Sequence, residues 1–184
     1  MPKQQIYQDK ELPEPFKWQV LDFLRIVWSD GFEGKNSTRD WITKSSHHPL
    51  HFVLIESNNL LVSYVGVVWK YLEHAGEAYK MYGWSGVFTY PQFRGQHYGL
   101  NLVKKAKQYI EKSEADICLF PSKLTGFYEK AGFPRLKNVI LIEKLGDEPV
   151  SNKENVYMLF LSEKGKTHRQ DFETKPIYFG ETVW

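Results

Sequence analysis

Residues 87–103 read VFTYPQFRGQHYGLNLV, and the fold follows from the way this stretch changes character. A β-rich segment runs into Pro91, which cannot donate to a ladder and closes the strand. A short loop carrying Arg94, Gly95 and Gly99 comes next. Beyond it Leu102, Val103, Ala106, Tyr109 and Ile110 recur at helical spacing with lysines on the other side, so a helix is expected over Asn101–Lys112. A strand, a glycine-bearing turn and a helix start together make an anion site. The first helical amides have no partner and the dipole is positive there. Gly95 and Gly99 let the backbone come close to an anion, and Arg94 offers charge, as a ligand or as a tether. The Gly-Lys-Ser/Thr ending of a Walker loop is missing and GxGxxG is absent, so neither of those phosphate motifs is present.

Upstream, a short first strand is expected around Gln5–Tyr7. Val20, Phe23, Leu24, Val27 and Trp28 place an amphipathic helix over Phe16–Ser29. Ser37 or Thr38 is expected to cap a second, short helix running through Trp41 and Ile42. His51–Glu56, Leu60–Leu72 and Tyr79–Tyr90 read as strands. They are separated by turns at Ser57-Asn58-Asn59 and Ala75-Gly76-Glu77, which argues for an antiparallel meander. Gly86 in mid-strand fits a bulge or a close backbone approach. Downstream, Asp116–Phe120 reads as a buried strand and Lys123–Ala131 as a helix stopped by Gly132. Leu136–Glu143 and Asn155–Leu161 read as closing strands, and 162–184 as an irregular tail. The order is α+β, and residues 1–184 are expected to form a single domain.

The 184 residues include 42% hydrophobic and 16% aromatic side chains, enough for one core, and the formal net charge is +2. That charge gives no bulk electrostatic case for nucleic acid. The apolar runs are far too short to cross a bilayer. Cys118 is the one cysteine, expected as a buried small hydrophobe. The chain opens without an apolar signal region, so a cytoplasmic location is the default expectation. His47, His48 and His51 suggest a metal cluster, but no Cys or carboxylate completes the set, and solvated loop histidines are the simpler reading.

A second stretch, FYEKAGF at Phe127–Phe133, gives the loop its meaning. Strand, Pro, Arg-Gly-x-x-x-Gly, amphipathic helix, short strand and FYEKAGF together resemble the GCN5-related N-acetyltransferases over residues 16 to 161. The resemblance implies an α+β fold of that family. It would have a mixed, mostly antiparallel central sheet of about seven strands flanked by about four helices. It also implies acetyl-coenzyme A as co-substrate, with no metal, and a small-molecule amine acceptor; no nucleic-acid or membrane partner is expected, and pairing of two copies is an open option. Cofactor-binding positions carried over are Val87, Phe88 and Thr89 on the strand, Arg94, Gly95, Gln96, His97, Tyr98 and Gly99 in the loop, and Ser122. His97 stands where the family usually has the middle glycine, so its side chain must turn away from the phosphates or touch them. Tyr128 matches the usual general acid, since a phenol of pKa about 10 holds its proton at neutral pH. Candidate bases are Ser85, Glu77 and His51.

Within the family the chain is similar to aminoglycoside 2'-N-acetyltransferases. The similarity lies in Phe32–Trp41, Gly83–Pro91 with Phe93-Arg94-Gly95, and the terminal Val183-Trp184. Their acceptor-site carboxylates correspond here to Lys35, Ser85, Asn152 and Thr182, none of them acidic, which weakens the attraction for a polycationic sugar. Substrate-binding candidates are Trp84, as a flat wall beside the thioester strand, with Lys35, Asn152 and a docked Trp184. A coenzyme A sensor without catalysis is the competing reading.

Overall fold

The most β-rich runs of the sequence become its longest strands. The computed structural model describes residues 2–137, 139–145, 148–152 and 154–181. Strands β1 (Lys3–Gln8), β2 (Leu50–Ile55), β3 (Leu61–His74) and β4 (Glu77–Thr89) carry most of the expected meander. β1 pairs antiparallel with β2, and β2 with β3. The turns are those the sequence signals. Asn59 closes the first at φ 61°, while Ala75 and Gly76 take φ 53° and 86° in succession, the left-handed pair that matches the twist of a hairpin. Helix α1 (Glu14–Val27) has Pro15 in its first turn and buries Phe16, Val20, Leu21, Phe23 and Leu24. These side chains pack with Val53, Ile55, Leu61, Tyr64 and Phe88. Each such buried residue contributes roughly 1.5–3 kcal/mol.

The remaining elements are α2 (Tyr98–Glu111), β5 (Ile117–Ser122), α3 (Phe127–Lys130), β6 (Arg135–Leu136), β7 (Leu141–Leu145), β8 (Glu148–Asn152), β9 (Asn155–Phe160), α4 (Glu163–Thr167), α5 (Arg169–Thr174) and β10 (Ile177–Glu181). A seven-stranded sheet runs β1-β2-β3-β4-β5-β9-β6, as expected for the fold class. Its pairings are mostly antiparallel. β4 and β5 form a parallel ladder at Met81↔Ile117 and Tyr82↔Cys118. The described residues form two compact units, one of residues 2–68 and 84–102, the other of residues 69–83 and 103–181.

Four expectations need correction. No helix runs through Trp41 and Ile42. The Arg39 guanidinium donates to the carbonyls of Gly31, Trp41 (2.7 Å) and Ile42, and stacks 4.0 Å from the Trp41 ring; carbonyls held this way do not join a helical ladder. The helix expected over Lys123–Ala131 shrinks to α3, because Gly126 before it sits at φ 77°. Leu136–Glu143 is two strands rather than one: β6 pairs with β9, whereas β7 lies between β10 and β8 in a separate three-stranded sheet. The stretch 162–184, expected to be irregular, instead carries α4, α5 and β10. Ser162 Oγ accepts from the Gly165 amide at 3.0 Å and donates to Asp116 at 2.6 Å, which caps α4. Phe172 of α5 is fully buried, stacked 4.3 Å from His74. Five α-helices are present among the described residues, in keeping with the about four expected.

Candidate functional site

At the end of β4 the backbone leaves the regular pattern at Gly86, whose φ of 147° is open to glycine alone; a Cβ there would press on Leu24 at 3.4 Å. Past it the strand is held by β3. The Tyr90 amide donates to the Val62 carbonyl at 3.0 Å, and Ser63 Oγ donates to the Phe88 carbonyl at 2.8 Å and lies 2.9 Å from Thr89 Oγ1. Phe88 is buried, stacked 3.9 Å from Phe23. With Tyr90 bonded toward β3, strand alternation turns the peptide groups of Thr89, and of Val87 before it, to the opposite side. The Thr89 carbonyl accepts from Arg94 Nε at 3.1 Å. Arg94 therefore acts as a tether between strand end and loop, one of its two expected uses.

The loop completes the turn with two left-handed residues, Gly95 at φ 80° and His97 at φ 60°. The middle-glycine position of the motif thus keeps the backbone that glycine would give, with a histidine in it. Asn101 donates to the His97 carbonyl at 2.9 Å, the first bond of α2, so helical pairing leaves the amides of Tyr98, Gly99 and Leu100 without a partner in the ladder. The first turn of α2 holds no acidic residue, and nothing lies within 4 Å of where a Gly95 Cβ would be. Arg94, Gly95, Gln96 and His97 are exposed. An anionic group such as a pyrophosphate fits this helix start on charge and on space.

The FYEKAGF stretch is a capped turn. Phe133 donates to the Tyr128 carbonyl and Gly132 to the Glu129 carbonyl, both at 2.9 Å, with Gly132 at φ 85°. These are the two bonds of a Schellman motif. The motif fixes Tyr128 in an aromatic cluster: Phe120 at 4.7 Å, Phe127 at 5.0 Å and Tyr157 at 5.2 Å. Burial pushes its hydroxyl well above the ordinary tyrosine range, against a hydrogen bond from Ser122 and with Tyr157 and Glu154 adding to the rise. Ser122 is the partly buried end residue of β5. Nearby in sequence, Asn152 accepts from the Glu154 amide at 2.7 Å. Glu143 has its carboxyl raised by burial, with Asn152 hydrogen-bonded to it and Glu154 repelling it.

The remaining expected residues are scattered. Lys35 is exposed in a short turn. Trp84 is buried, 5% exposed, so it offers no open wall. Trp184 and Thr182 lie outside the described residues. Ser85 is buried, and its Oγ has no hydrogen-bond partner of good geometry among the described residues. Ser85 sits beside Tyr64, whose hydroxyl lies 2.8 Å from His51 Nδ1; His51 Nε2 lies 3.9 Å from Asp9 Oδ1. His51 is thus a buried, partnered residue, not a solvated loop histidine. Among the described residues no group of three His, Cys, Asp or Glu side chains gathers as metal ligands, and no helix is long and apolar enough to cross a membrane. Tyr64 and Asp9 belong to no motif in the sequence. A tyrosine within the apolar run of β3, two residues before Gly66, is the one local signal that would have marked a polar path there.

The fold is α+β, and the glycine loop that feeds the start of the 14-residue α2 leaves unpaired amides that suit an anion. The family model described as an acetyltransferase (GNAT) domain matches residues 19–135, and the chain belongs to the GNAT acetyltransferase family. No curated protein matches it. Solved structures of similar fold include a probable N-acyltransferase of Enterococcus faecalis, with TM-score 0.58 and 16% identity over 73% of this chain; the chain spans only 33% of that protein's length. The GNAT family N-acetyltransferase YhbS of Escherichia coli, in complex with CoA, matches at TM-score 0.54 and 14% identity, over 90% of this chain and 85% of that one. A GNAT acetyltransferase of Brucella melitensis, in complex with acetyl-CoA, matches at TM-score 0.53 and 17% identity, over 87% and 89%.

Proposed function

We propose that this chain transfers the acetyl group of acetyl-coenzyme A to the amine of a small-molecule acceptor. The observation that carries the reading is the start of α2, where unpaired amides, two left-handed loop residues and the absence of an acidic side chain suit a pyrophosphate. Acetyl-coenzyme A supplies the thioester when bound. Gly95, Gln96, His97, Tyr98 and Gly99 hold phosphate oxygens through their backbone, and Arg94 adds charge. The outward peptide groups of Val87 and Thr89 align the pantetheine, and an amide near Val87 or Phe88 polarises the carbonyl. The amine nitrogen bonds to the acetyl carbon as the carbon–sulfur bond breaks. Tyr128 gives its proton to the departing thiolate, and the nitrogen loses one to solvent. Glu154, close enough to raise the Tyr128 pKa, gives a cationic amine a carboxylate to approach. The whole chain acts as one acetyltransferase domain in this reading.

The buried hydroxyl of Ser85 supports a second reading, a coenzyme A sensor that transfers nothing, since this candidate base is closed to solvent. Thiol release from acetyl-coenzyme A, measured with aminoglycosides, polyamines, aryl amines and amino acids, separates the two. Release with one class supports transfer and names the acceptor. Thermal stabilisation by acetyl-coenzyme A without release from any amine supports the sensor, and neither effect sinks both readings. Turnover of aminoglycosides would favour the 2'-N-acetyltransferase activity over the broader amine transfer.

A further inference from the structure

The floor of a cavity of about 590 Å³ in the first unit is built from polar groups that the acetyl-transfer reading does not use. It lies where β1 ends and α1 begins, and the 40–45 segment and His51 complete its wall. Thr43 is 2% exposed, and its Oγ1 has no hydrogen-bond partner among the described residues. A buried hydroxyl left without a partner is a cost that the protein carries at this spot. His51, 1% exposed, lines the same cavity and holds Asp9 at 3.9 Å through Nε2, while its other nitrogen is taken by Tyr64. With Nδ1 occupied by the Tyr64 hydroxyl, Nε2 is the ring nitrogen on the Asp9 side.

Three carboxylates and three ammonium groups line the cavity. Lys17 lies 3.8 Å from Asp40 in an ion pair, and Ser45 hydrogen-bonds Asp9. Burial holds His51 neutral near pH 7, its pKa lowered to about 4 against the pull of Asp9, so the lining stays charge-balanced. A lone cation or a lone anion there meets repulsion and attraction in equal number. A small molecule that carries one charge of each sign can set each against its opposite. The volume is that of a small-ligand site, and Trp41, Leu12 and Ile42 give it an apolar side.

We propose that this cavity binds a small zwitterionic amine of the free amino acid class. Its ammonium meets Asp9, its carboxylate meets a lysine of the wall, and Thr43 supplies a hydrogen bond to either end. The site stands independently of acetyl transfer. Calorimetric titration of the full chain with L-serine, L-glutamate and L-lysine tests it, with methylamine and sodium acetate as single-charge controls. Saturable binding of at least one amino acid is expected, with Kd below about 1 mM, and neither control should bind. Thr43→Val keeps the shape and removes the hydroxyl, and Asp9→Asn removes the charge. Each should weaken binding at least tenfold while leaving thermal stabilisation by acetyl-coenzyme A unchanged. Absence of binding by all three amino acids, equal binding by the controls, or full binding by both variants would overturn the proposal. Because acetyl-coenzyme A stabilisation is read in the same samples, its loss marks a failure of the donor assignment or of folding, not of this site.

Discussion

The Nδ1 atom of His51 lies 2.8 Å from the Tyr64 hydroxyl, with both side chains shut away from water. Burial lowers the His51 pKa to about 4, opposed by the charge and hydrogen bonding of Asp9. A histidine whose folded pKa lies below its unfolded value is charged first in the unfolded chain. Its contribution to stability is therefore intact above about pH 6.5 and is lost as the pH falls toward 4. Up to about 3 kcal/mol should disappear across that window. Urea unfolding at pH 7 and pH 4.5 checks it, and His51→Gln, which cannot titrate, should flatten the difference. Equal pH dependence in both proteins would sink the assignment.

Gly66 is the clearance that lets this polar row exist. A Cβ on it would lie 2.1 Å from Ser85 Oγ and 2.7 Å from the Tyr64 hydroxyl. Neither group can swing out to solvent, since Ser85 and Tyr64 are 3% and 0% exposed. Gly66→Ala should therefore cost at least about 2 kcal/mol, as overpacking of a filled interior does. Removing the nearer obstacle with Ser85→Gly in the same chain should return part of that loss. Thermal melting of the single and double variants gives the answer; a Gly66→Ala variant as stable as the parent would show that the row is looser than described.

What the sequence made legible is local chemistry. Pro91, Gly95 and Gly132 set backbone geometry within a few residues of themselves, and the loop and the FYEKAGF cap stand where those residues place them; α2, expected from Asn101, already begins at Tyr98 and takes Gly99 into its first turn. What it hid depends on distant partners. Arg39 holds three carbonyls and so removes the short helix that Ser37 suggested. Phe172 turns the tail into helix by burying against His74, a partner almost a hundred residues away in sequence. Trp84 and Ser85 stand beside the thioester strand in the sequence, yet both are buried by packing that no motif records. The neighbourhood of His51, Tyr64 and Asp9 is of the same kind, since three strands must pair in register before these groups meet.

Gly132 offers a test of the cap itself. Its φ is 85°, and its amide bonds the Glu129 carbonyl at 2.9 Å. An L-residue in the left-handed region costs roughly 1–2 kcal/mol, and a Cβ here would meet the Lys107 side chain at 3.4 Å, a contact the flexible chain can relieve. Gly132→Ala should lower stability by about 1 kcal/mol, and Gly132→Asn by less, because asparagine tolerates this conformation. Chemical denaturation of the pair distinguishes backbone strain from crowding: if asparagine proves the worse of the two, size rather than φ decides.

Tyr128→Phe separates packing from catalysis. The ring contacts with Phe120 and Tyr157 survive the change, so stability and acetyl-coenzyme A stabilisation should stay close to those of the parent. Thiol release should fall by about 10²- to 10⁴-fold, the usual span for a positioned proton donor. Burial raises the Tyr128 pKa above its ordinary value, so the donor keeps its proton beyond pH 10. The parent's rate should accordingly show no alkaline loss from this group in the ordinary tyrosine range. An unchanged rate in the phenylalanine variant would leave Tyr128 a packing residue.

His97 separates the geometry of the loop from its charge. It sits at φ 60° immediately before α2. His97→Gly relieves a left-handed strain of roughly 1–2 kcal/mol but frees the unfolded chain by about 0.4–1 kcal/mol, so it should change stability little and keep acetyl-coenzyme A binding. His97→Asp acts in two opposed directions. The new carboxylate beside the helix start stabilises the free protein by about 0.3–1 kcal/mol, yet it occupies the positive end that a pyrophosphate needs. His97→Asp should melt at or slightly above the parent temperature and lose at least tenfold in acetyl-coenzyme A affinity. Melting with and without acetyl-coenzyme A measures both signs at once. If His97→Asp binds the donor as well as His97→Gly does, the anion sits elsewhere and the helix start is not its cradle.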